Sequence, residues 1–284
     1  MGTALRVLRH ESELGSWELV TRAPESRLRG LVCDYEGYVE SGAPVPVLRQ
    51  QVPTPRIPLI VNFGAPWNVA DAEHGVPRVY KSFIAGLGER SSYVAATGPA
   101  SCVQVNLTPL GAFMFFGLPM HELANQVVPL EDVLPRRSAG LVEQLEDARG
   151  WEARFELLDA TFATRLTDAR APSSDVAWAW SILERTHGKA PIGWICDRLG
   201  RSRRHLAARF HEQVGLPPKT VARILRFDRA VSLLAHADGA QLADVAFECG
   251  YYDQAHLNRD FREFASKSPG AFARQIVPGG GVVI

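Results

Sequence analysis

The sequence predicts an α+β protein: a β-rich N-terminal domain completed by its own helices, followed by an all-α domain with two helix-turn-helix units. Three observations support this prediction. Short apolar runs bounded by Gly, Pro and Asn fill the first hundred or so residues, as the strands of a sandwich or barrel would. Helical periodicity takes over from about residue 109. The last third repeats a helix, turn and helix pattern at an offset of about 50 residues.

Length and composition are those of an ordinary globular protein. The chain has 284 residues, of which 46% are apolar and 22% are charged, and this length favours two domains over one. No apolar run approaches the roughly 18 residues that span a bilayer. The charged start, MGTALRVLRHESELG, lacks the apolar core of a signal peptide. We therefore expect a cytoplasmic protein without a membrane segment.

Residues 1–168 are predicted to form the β-rich domain, and a cupin-like barrel is one form that its strands fit. The predicted strands are 31–39, 59–63, 79–84, 92–96 and 101–107, and the predicted helices are 109–116, 139–148 and 152–166. The Pro-rich stretch 45–58 is expected to be an extended loop or a barrel edge, because proline cannot donate a hydrogen bond to a strand ladder.

Two sets of apolar side chains in this half each leave two interpretations open. The first set recurs at helical spacing and consists of Phe155, Leu158, Phe162 and Leu166. It belongs either to the core or to the seam of a homodimer, and the core is favoured because such stripes usually pack within their own domain. The second set consists of Trp17, Trp67, Tyr80 and Phe83. These aromatic side chains either line a pocket or fill the barrel, and filling is favoured.

A short polar segment separates the two halves. Residues 169–174, which include Pro172, are predicted to be a linker. The double helix-turn-helix domain is predicted over residues 175–276, with a tail at 277–284. Asp175 is expected to cap a helix that runs through about Thr186, because its carboxylate can accept unpaired N–H groups of the first turn.

The C-terminal third contains the same pattern twice. In each copy a short helix ends at a glycine, Gly200 or Gly250, which can adopt the left-handed conformation that stops a helix. A capping residue, Ser202 or Asp253, then opens a second helix. In the helix-turn-helix, this second helix lies in the major groove. Two copies with the same glycine and cap are much harder to obtain by chance than one, so the sequence predicts DNA binding.

The exposed faces of the two second helices carry side chains that can read bases. Arg can bridge guanine O6 and N7, Gln and Asn can pair with adenine, and Ala can contact a thymine methyl group. With its cap, the predicted DNA-binding set of the first unit is Ser202, Arg203, Arg204, Ala207 and Ala208. The predicted set of the second unit is Asp253, Gln254, Ala255, Asn258, Arg259 and Arg262.

Residues 219–237, between the two units, predict one long helix. Pro217 and Pro218 precede it, at positions where the start of a helix tolerates proline. At about 1.5 Å per residue the helix spans roughly 28 Å. This length suits two recognition helices held about one DNA turn, roughly 34 Å, apart.

The net charge of zero hides an uneven distribution. Residues 198–229 contain nine Lys and Arg residues against only Glu212 and Asp228. Such a concentration suits a phosphate backbone, because each bound cation releases a condensed counterion. A solvated helix face gives the same charge, so charge alone does not distinguish the two interpretations.

Residues 175–276 resemble the DNA-binding domain of the AraC/XylS family of bacterial transcriptional regulators. The matching segments are Gly200-Arg-Ser-Arg-Arg-His-Leu-Ala-Ala-Arg-Phe210, Gly215-Leu-Pro-Pro218, Arg226-Phe-Asp-Arg-Ala230 and Val245-Ala-Phe-Glu-Cys-Gly-Tyr251. The resemblance implies a seven-helix domain whose base contacts come from the positions predicted above. Ala207 and Ala208 depart from the family's polar pattern, so hydrogen-bond readout by the first unit is expected to rest mainly on Arg203 and Arg204.

The resemblance also carries expectations for the rest of the chain. The β-then-α order of the N-terminal half is compatible with the family's effector or dimerisation domains. The implied partners are double-stranded promoter DNA, RNA polymerase, a small-molecule effector and a second copy of the chain. The effector-binding residues are not identified by the sequence. No cofactor is expected.

Three other functions fit the sequence less well. A cupin-type enzyme needs clustered His and carboxylate ligands, whereas the N-terminal half offers only His10, His74 and His121, without metal-ligand spacing. A DNA-alkylation repair protein needs a reactive cysteine, but Cys33 and Cys102 lie in apolar runs without flanking Cys or His. A non-specific architectural DNA binder would lack the two base-reading faces. We therefore expect no catalytic residue and no metal site.

Overall fold

The computed structural model describes residues 4–12, 15–41, 47–71, 75–135, 138–167, 169–236, 241–277 and 281–283. Several sequence predictions involve residues outside these ranges: His74, Asp168 at the end of the predicted N-terminal domain, Ala237 at the end of the predicted long helix, and 278–280 and 284 of the predicted tail.

The N-terminal part is built from antiparallel strands. In chain order, the strands of the whole chain are β1 (Arg6–Ser12), β2 (Gly15–Arg22), β3 (Val32–Ser41), β4 (Arg49–Gln51), β5 (Ile57–Asn62), β6 (Trp67–Asp71), β7 (Arg78–Tyr80), β8 (Phe83–Ala85), β9 (Ser92–Ala96), β10 (Ala100–Leu107), β11 (Val127–Pro129), β12 (Ile276–Val277) and β13 (Gly281–Val283). They form a seven-stranded sheet in the order β1-β2-β3-β10-β5-β8-β11 and a six-stranded sheet in the order β12-β13-β4-β9-β6-β7.

Helices cover one face of the larger sheet and make up the C-terminal third. They are α1 (Pro109–Phe116), α2 (Leu130–Val133), α3 (Ser138–Asp147), α4 (Gly150–Thr167), α5 (Ser174–Arg185), α6 (Ile192–Leu199), α7 (Arg203–Gln213), α8 (Pro218–His236), α9 (Leu242–Glu248), α10 (Gln254–Ala265) and α11 (Pro269–Ala273). A 3-10 turn, Met120–Glu122, follows α1. The predicted α+β class is confirmed, and the seven helices α5 to α11 match the expected number within the described C-terminal residues.

The two faces of the larger sheet pack against different clusters of residues, because successive side chains of a strand point to opposite sides. Tyr35 and Val103 belong to the main core, which the helices complete. Cys102, next to Val103 on β10, instead packs with Trp67 and Phe83 in a second cluster between the two sheets. Trp67, Tyr80 and Phe83 therefore fill this space, as the sequence favoured, whereas Trp17 is buried outside this cluster, under the Arg49 guanidinium.

The apolar stripe on α4 is a core feature. Phe155, Leu158 and Phe162 are fully buried. The ring of Phe155 stacks on Tyr35 of β3 with centroids 5.7 Å apart, and the ring of Phe162 stacks on Phe115 of α1 at 4.1 Å. These contacts confirm the core interpretation of the stripe.

Two local predictions are wrong. The predicted strand 79–84 is two strands in different sheets, because the chain bends at Lys81 and Ser82 and crosses from β7 to β8. Asp175 does not cap α5: the N-cap is Ser173, without a side-chain hydrogen bond. The Asp175 carboxylate instead accepts from Arg201 Nε at 2.7 Å, because an ion pair with the turn of the first helix-turn-helix unit competes with capping.

The C-terminal end of the chain returns to the N-terminal part. Of the predicted tail, Val282 and Val283 lie in β13 and pair with Gln50 and Arg49 of β4. Apolar residues of the tail also join the common core, where Val282 is buried. The C-terminal helical part is thus attached to the N-terminal sheets at both of its ends.

Candidate nucleic-acid interface

The first helix-turn-helix unit consists of α6 and α7. Helix α6 ends at Gly200, which has a φ of 61° and lies in the left-handed region that favours glycine. Ser202 then caps α7, since its Oγ accepts a hydrogen bond from the backbone N–H of His205 at 3.1 Å. Leu206 and Phe210 on α7 are fully buried and fix the helix against the core. The predicted turn and cap are confirmed.

The second unit, α9 and α10, repeats this construction. Gly250 follows α9 with a φ of 76°. Asp253 caps α10 by accepting from the backbone N–H of His256 at 2.7 Å. The side chains of Leu257 and Phe261 are fully buried. The two copies found in the sequence are therefore two copies of one structural unit.

The predicted reading residues of α7 fall on two adjacent faces of the helix. Arg204 and Ala208 are exposed, and Arg204 has no ion-pair partner among the described residues. Arg203 is also exposed but lies over α6, where a Cβ atom on Gly193 would be 3.0 Å from its Nη2. Ala207 follows on the same side and is half-buried. Arg204 is thus the arginine of α7 that projects freely from the protein.

The predicted reading residues of α10 are more open. Gln254, Ala255, Arg259 and Arg262 are exposed, and Asn258 is half-buried. Within the described part of the chain, neither Arg259 nor Arg262 forms an ion pair with a carboxylate of the fold. The side chains that can hydrogen-bond bases are therefore presented together along the N-terminal three-quarters of α10.

Several arginines of the basic segment 198–229 form ion pairs with carboxylates of the fold. Arg223 of α8 contacts Asp260 at 2.8 Å and Glu263 at 2.6 Å on α10. Its hydrogen bonds to these carboxylates raise its pKa above the usual range. Arg229 of α8 pairs with Glu248 of α9 at 2.6 Å. These arginines hold the second unit on the long helix, so their charge is paired within the fold and is not free to meet phosphate.

The long helix α8 runs from Pro218 to His236, close to its predicted bounds. Val221, Ile224 and Leu225 are buried, and Arg226 Nη1 donates to the carbonyl of Gly188 at 2.8 Å. The helix therefore packs its apolar face against the core shared with both units, while Arg226 holds the turn after α5 and other arginines contact the second unit.

The C-terminal ends of both recognition helices lie against the N-terminal part. The His211 ring of α7 stacks on His121, with centroids 4.5 Å apart. At the end of α10, the carbonyls of Phe264 and Ala265 accept hydrogen bonds from Ser91 and Gln50. The opposite, N-terminal ends of the helices carry the predicted base-reading side chains and stay exposed.

Comparison with known proteins covers the two parts of the chain separately. The sequence pattern of a helix-turn-helix domain matches residues 195–275. The transcriptional activator RhaS of Escherichia coli is 32% identical over 85 residues, which are 29% of this chain and 30% of RhaS. The C-terminal third of the chain is therefore similar to the helix-turn-helix part of a transcriptional activator. The chain spans about a third of the length of this relative. In the N-terminal part, residues 20–129 match a domain of unknown function.

Solved structures similar to this chain include ToxT and the C-terminal domain of AraT, a response regulator. ToxT from Vibrio cholerae covers 84% of this chain and 97% of its own, with 11% identity and a TM-score of 0.49. The C-terminal domain of AraT from Geobacillus stearothermophilus covers 36% of this chain and 86% of its own, with 18% identity and a TM-score of 0.34.

Cys33 and Cys102 in the N-terminal part are poor nucleophiles. Burial raises the pKa of the Cys102 thiol to about 12 and that of Cys33 to about 11. Because the thiolate is the reactive form, both side chains stay protonated near neutral pH. This chemistry disfavours a function in DNA-alkylation repair.

Metal-ligating clusters and membrane-spanning helices are both absent from the residues that the structure describes. Within those ranges, no group of three or more His, Cys, Asp or Glu side chains is arranged to hold a metal ion. In the same ranges, no helix is both long and apolar enough to cross a membrane.

Two exposed aromatic residues beside the second unit were missed by the sequence analysis. Tyr252, directly before the cap Asp253, is 93% exposed, and Phe247 near the end of α9 is 86% exposed. The preceding Tyr251 is buried instead and its ring meets His256 edge-on. The two tyrosines are consecutive, and the sequence does not show which one turns outward.

Proposed function

We propose that this chain is a sequence-specific regulator of transcription that places α7 and α10 in successive major grooves of one DNA duplex. The observation that carries the proposal is the pair of capped helices whose N-terminal ends expose Arg204, Gln254 and Arg259. Arginine and amide side chains at these positions of a recognition helix face base edges.

The rigid attachment of the two units supports reading by both from one side of the duplex. Arg223 and Arg229 tie α8 to the second unit, and α7 and α8 bury Phe210 and Val221 in the same core. Units held in this way meet DNA as one body. Their separation then determines the spacing of the bases that they read.

The base contacts proposed for the first unit are those of Arg203 and Arg204, with apolar contacts from Ala207 and Ala208. In the second unit they come from Gln254, Ala255 and Asn258, together with Arg259 and Arg262. Ser202 and Asp253 leave the first turn of each helix ordered, so that its free backbone N–H groups can meet phosphate.

The proposal extends to how the protein is controlled and where it acts. The N-terminal part, with its two sheets and helices, is proposed to take a small-molecule effector or to hold two copies of the chain together. The partners are promoter DNA in the bacterial cytoplasm and RNA polymerase at the promoter. No enzymatic step is part of the proposal.

Selection of bound sequences from random double-stranded DNA tests this function. The expected result is a motif with two short conserved blocks whose centres lie about 10 base pairs apart, one turn of B-DNA. The double variant Arg204→Ala/Arg259→Ala is expected to lose both blocks. Recovery of no common motif at physiological salt, with or without candidate effectors, would overturn the proposal. A thermal-shift screen of small molecules then addresses the effector.

A further inference from the structure

The C-terminal end of the second recognition helix is capped by side chains of the N-terminal part. Gln50 Nε2, on β4, donates to the carbonyl of Ala265 at 2.8 Å. Ser91 Oγ, just before β9, donates to the carbonyl of Phe264 at 2.6 Å. The last four carbonyls of a helix have no partner within the helix. Two of those of α10 are therefore satisfied by groups more than 170 residues away along the chain.

The cap is buried and its hydrogen bonds are mutually consistent. Gln50 and Ser91 are each 2% exposed. The amide of Gln50 also donates to Ser91 Oγ at 2.8 Å, while its carbonyl oxygen accepts from Lys267 Nζ at 2.8 Å. An amide with partners on both sides cannot rotate without losing hydrogen bonds in a site that water does not reach.

The residue beside Gln50 points into the N-terminal part. Arg49 pairs with Glu40 at 3.0 Å, and both side chains are buried. Tyr38 Oη donates to the same carboxylate at 2.9 Å, and the Arg49 guanidinium lies over the rings of Tyr38 and Trp17. Because consecutive residues of a strand face opposite sides, β4 has one face on this internal ion pair and the other on α10.

The chain's own C-terminal end reinforces the connection. Strand β13 follows α10 and α11 and pairs with β4, with Val282 opposite Gln50. On its other edge β4 pairs with β9, where Tyr93 lies opposite Gln50. A displacement of β4 is therefore passed to the end of α10 by the cap and by the strand that follows it.

A small movement at the capped end is sufficient to affect base reading. The 12 residues of α10 span about 18 Å at 1.5 Å per residue. A tilt of about 5° at Ala265 then displaces Gln254, at the other end, by about 1.5 Å. Hydrogen bonds to base edges tolerate only a few tenths of an ångström.

We infer that β4 positions the second recognition helix from inside the N-terminal part, with Gln50 and Ser91 as positioning residues and the Glu40–Arg49 pair as their internal anchor. This inference rests on the proposed DNA-reading function. It makes the second unit responsive to changes at β4. Helix α7 contacts a different region of the N-terminal part, the 3-10 turn Met120–Glu122 and α1, where the ring of His211 stacks on His121.

The test is half-site-resolved binding of the full-length protein to its selected DNA site. The variants Gln50→Leu and Ser91→Ala remove the cap, and Glu40→Gln changes the internal anchor without touching α10. Gln51→Leu, at the exposed next position of β4, is the matched control. Affinity is measured for the intact site and for sites with a mutated first or second block.

Each cap variant is expected to lose about three- to tenfold in affinity, the effect of one or two hydrogen bonds. This loss of affinity should come from the second block. Mutation of the second block should therefore lower the affinity of the cap variants less than it lowers the affinity of the wild type. Mutation of the first block should lower the affinity of the variants and of the wild type by the same factor. Glu40→Gln should show the same pattern, and Gln51→Leu should match the wild type.

Equal losses at both blocks, or no loss in any cap variant, would overturn the inference. Ser91→Ala removes a single hydroxyl group and keeps the test available if Gln50→Leu fails to fold. If the wild type shows no sequence preference, the proposed function fails instead. Hydrogen exchange then tests the cap by itself: Ser91→Ala should speed exchange at the C-terminal amides of α10, and unchanged exchange there would contradict the cap.

Discussion

Arg223 Nη2 of α8 lies 2.8 Å from Asp260 Oδ1 of α10, and this ion pair fixes the second recognition helix on the long helix between the units. The carboxylate of Asp260 is almost completely buried, with a side-chain exposure of 2%. Arg223 also covers the ring of Phe264, with its guanidinium 4.8 Å from the ring centroid. The orientation of the second reading face therefore depends on a charge pair inside the protein.

Removal of this arginine should destabilise the fold. Arg223→Ala leaves the Asp260 carboxylate buried without its cation, which costs about 3–5 kcal/mol. Arg229→Ala is the matched control, since its pair with Glu248 is solvent-exposed and such pairs contribute about 1 kcal/mol or less. Urea unfolding measures both variants. Equal losses in the two variants would contradict the assigned role of the Arg223–Asp260 pair.

The stability of the N-terminal part should depend on the protonation of Glu36. Burial, followed by the charge of Asp34, raises the pKa of Glu36 from 4.5 to about 7. Between these two pH values the folded protein holds a proton that the unfolded chain has released, so stability falls as the pH rises through this window. We expect Glu36→Gln to be more stable than the wild type by about 1–3 kcal/mol at pH 8.

The same comparison at low pH supplies the control. Near pH 4.5 the Glu36 side chain is largely protonated in the folded protein, so the advantage of Glu36→Gln should shrink to about zero. Urea unfolding at the two pH values measures this. An advantage that does not change with pH would mean that packing, and not the charge of Glu36, explains the difference.

The side chains that cap α7 and α10, Ser202 and Asp253, should each contribute to the free energy of unfolding. Ser202→Ala and Asp253→Ala each remove the side-chain oxygen that accepts from the first turn, which costs about 0.5–2 kcal/mol. Ser202→Thr keeps an acceptor and should lose less. Urea unfolding combined with DNA binding measures the effect. An alanine variant as stable as the wild type would show that the cap contributes nothing.

The two caps could be predicted from the sequence because the residues that indicate each cap are close together in the chain. Gly200 and Ser202, or Gly250 and Asp253, lie within three residues of each other, and each residue type has a direct effect on the backbone around it. The recognition helices and the long helix α8 follow from apolar spacing alone. Residues that act through near neighbours are therefore predicted well.

The parts that the sequence analysis missed depend on distant contacts. Nothing near Gln50 indicates that it caps a helix at Ala265, and the bend at Ser82 depends on which sheet each neighbouring strand joins. Strands β1 and β2 were not predicted because their exposed faces interrupt the apolar pattern. The charge count left the role of Arg223 and Arg229 open for the same reason, since their acidic partners lie elsewhere in the sequence.

The predicted base contact of Arg259 can be tested directly. Loss of one bidentate contact should cost roughly 1–3 kcal/mol of binding free energy and relax the preference at one base pair. Arg259→Ala is compared with Arg274→Ala, an exposed arginine beyond the recognition helix, in titrations with all four variants of each base pair. Unchanged affinity and preference in Arg259→Ala would remove this residue from the reading face.

The raised thiol pKa values predict that the protein does not accept alkyl groups from DNA. After incubation with methylated DNA, intact-protein mass spectrometry should show no added methyl group, because Cys33 and Cys102 remain protonated. A methyl group on either cysteine would support the repair function instead. A small electrophile in denaturant, which exposes all four cysteines, is the positive control.

The central claim is that α7 and α10 of one chain read two blocks of a single duplex from the same side. The most direct measurement is affinity for the selected site after insertion of about 5 base pairs, half a turn of B-DNA, between the blocks. The insertion places the blocks on opposite sides of the duplex, and we expect affinity to fall at least tenfold, to that of a single block. Unchanged affinity would contradict a rigid pair of recognition helices.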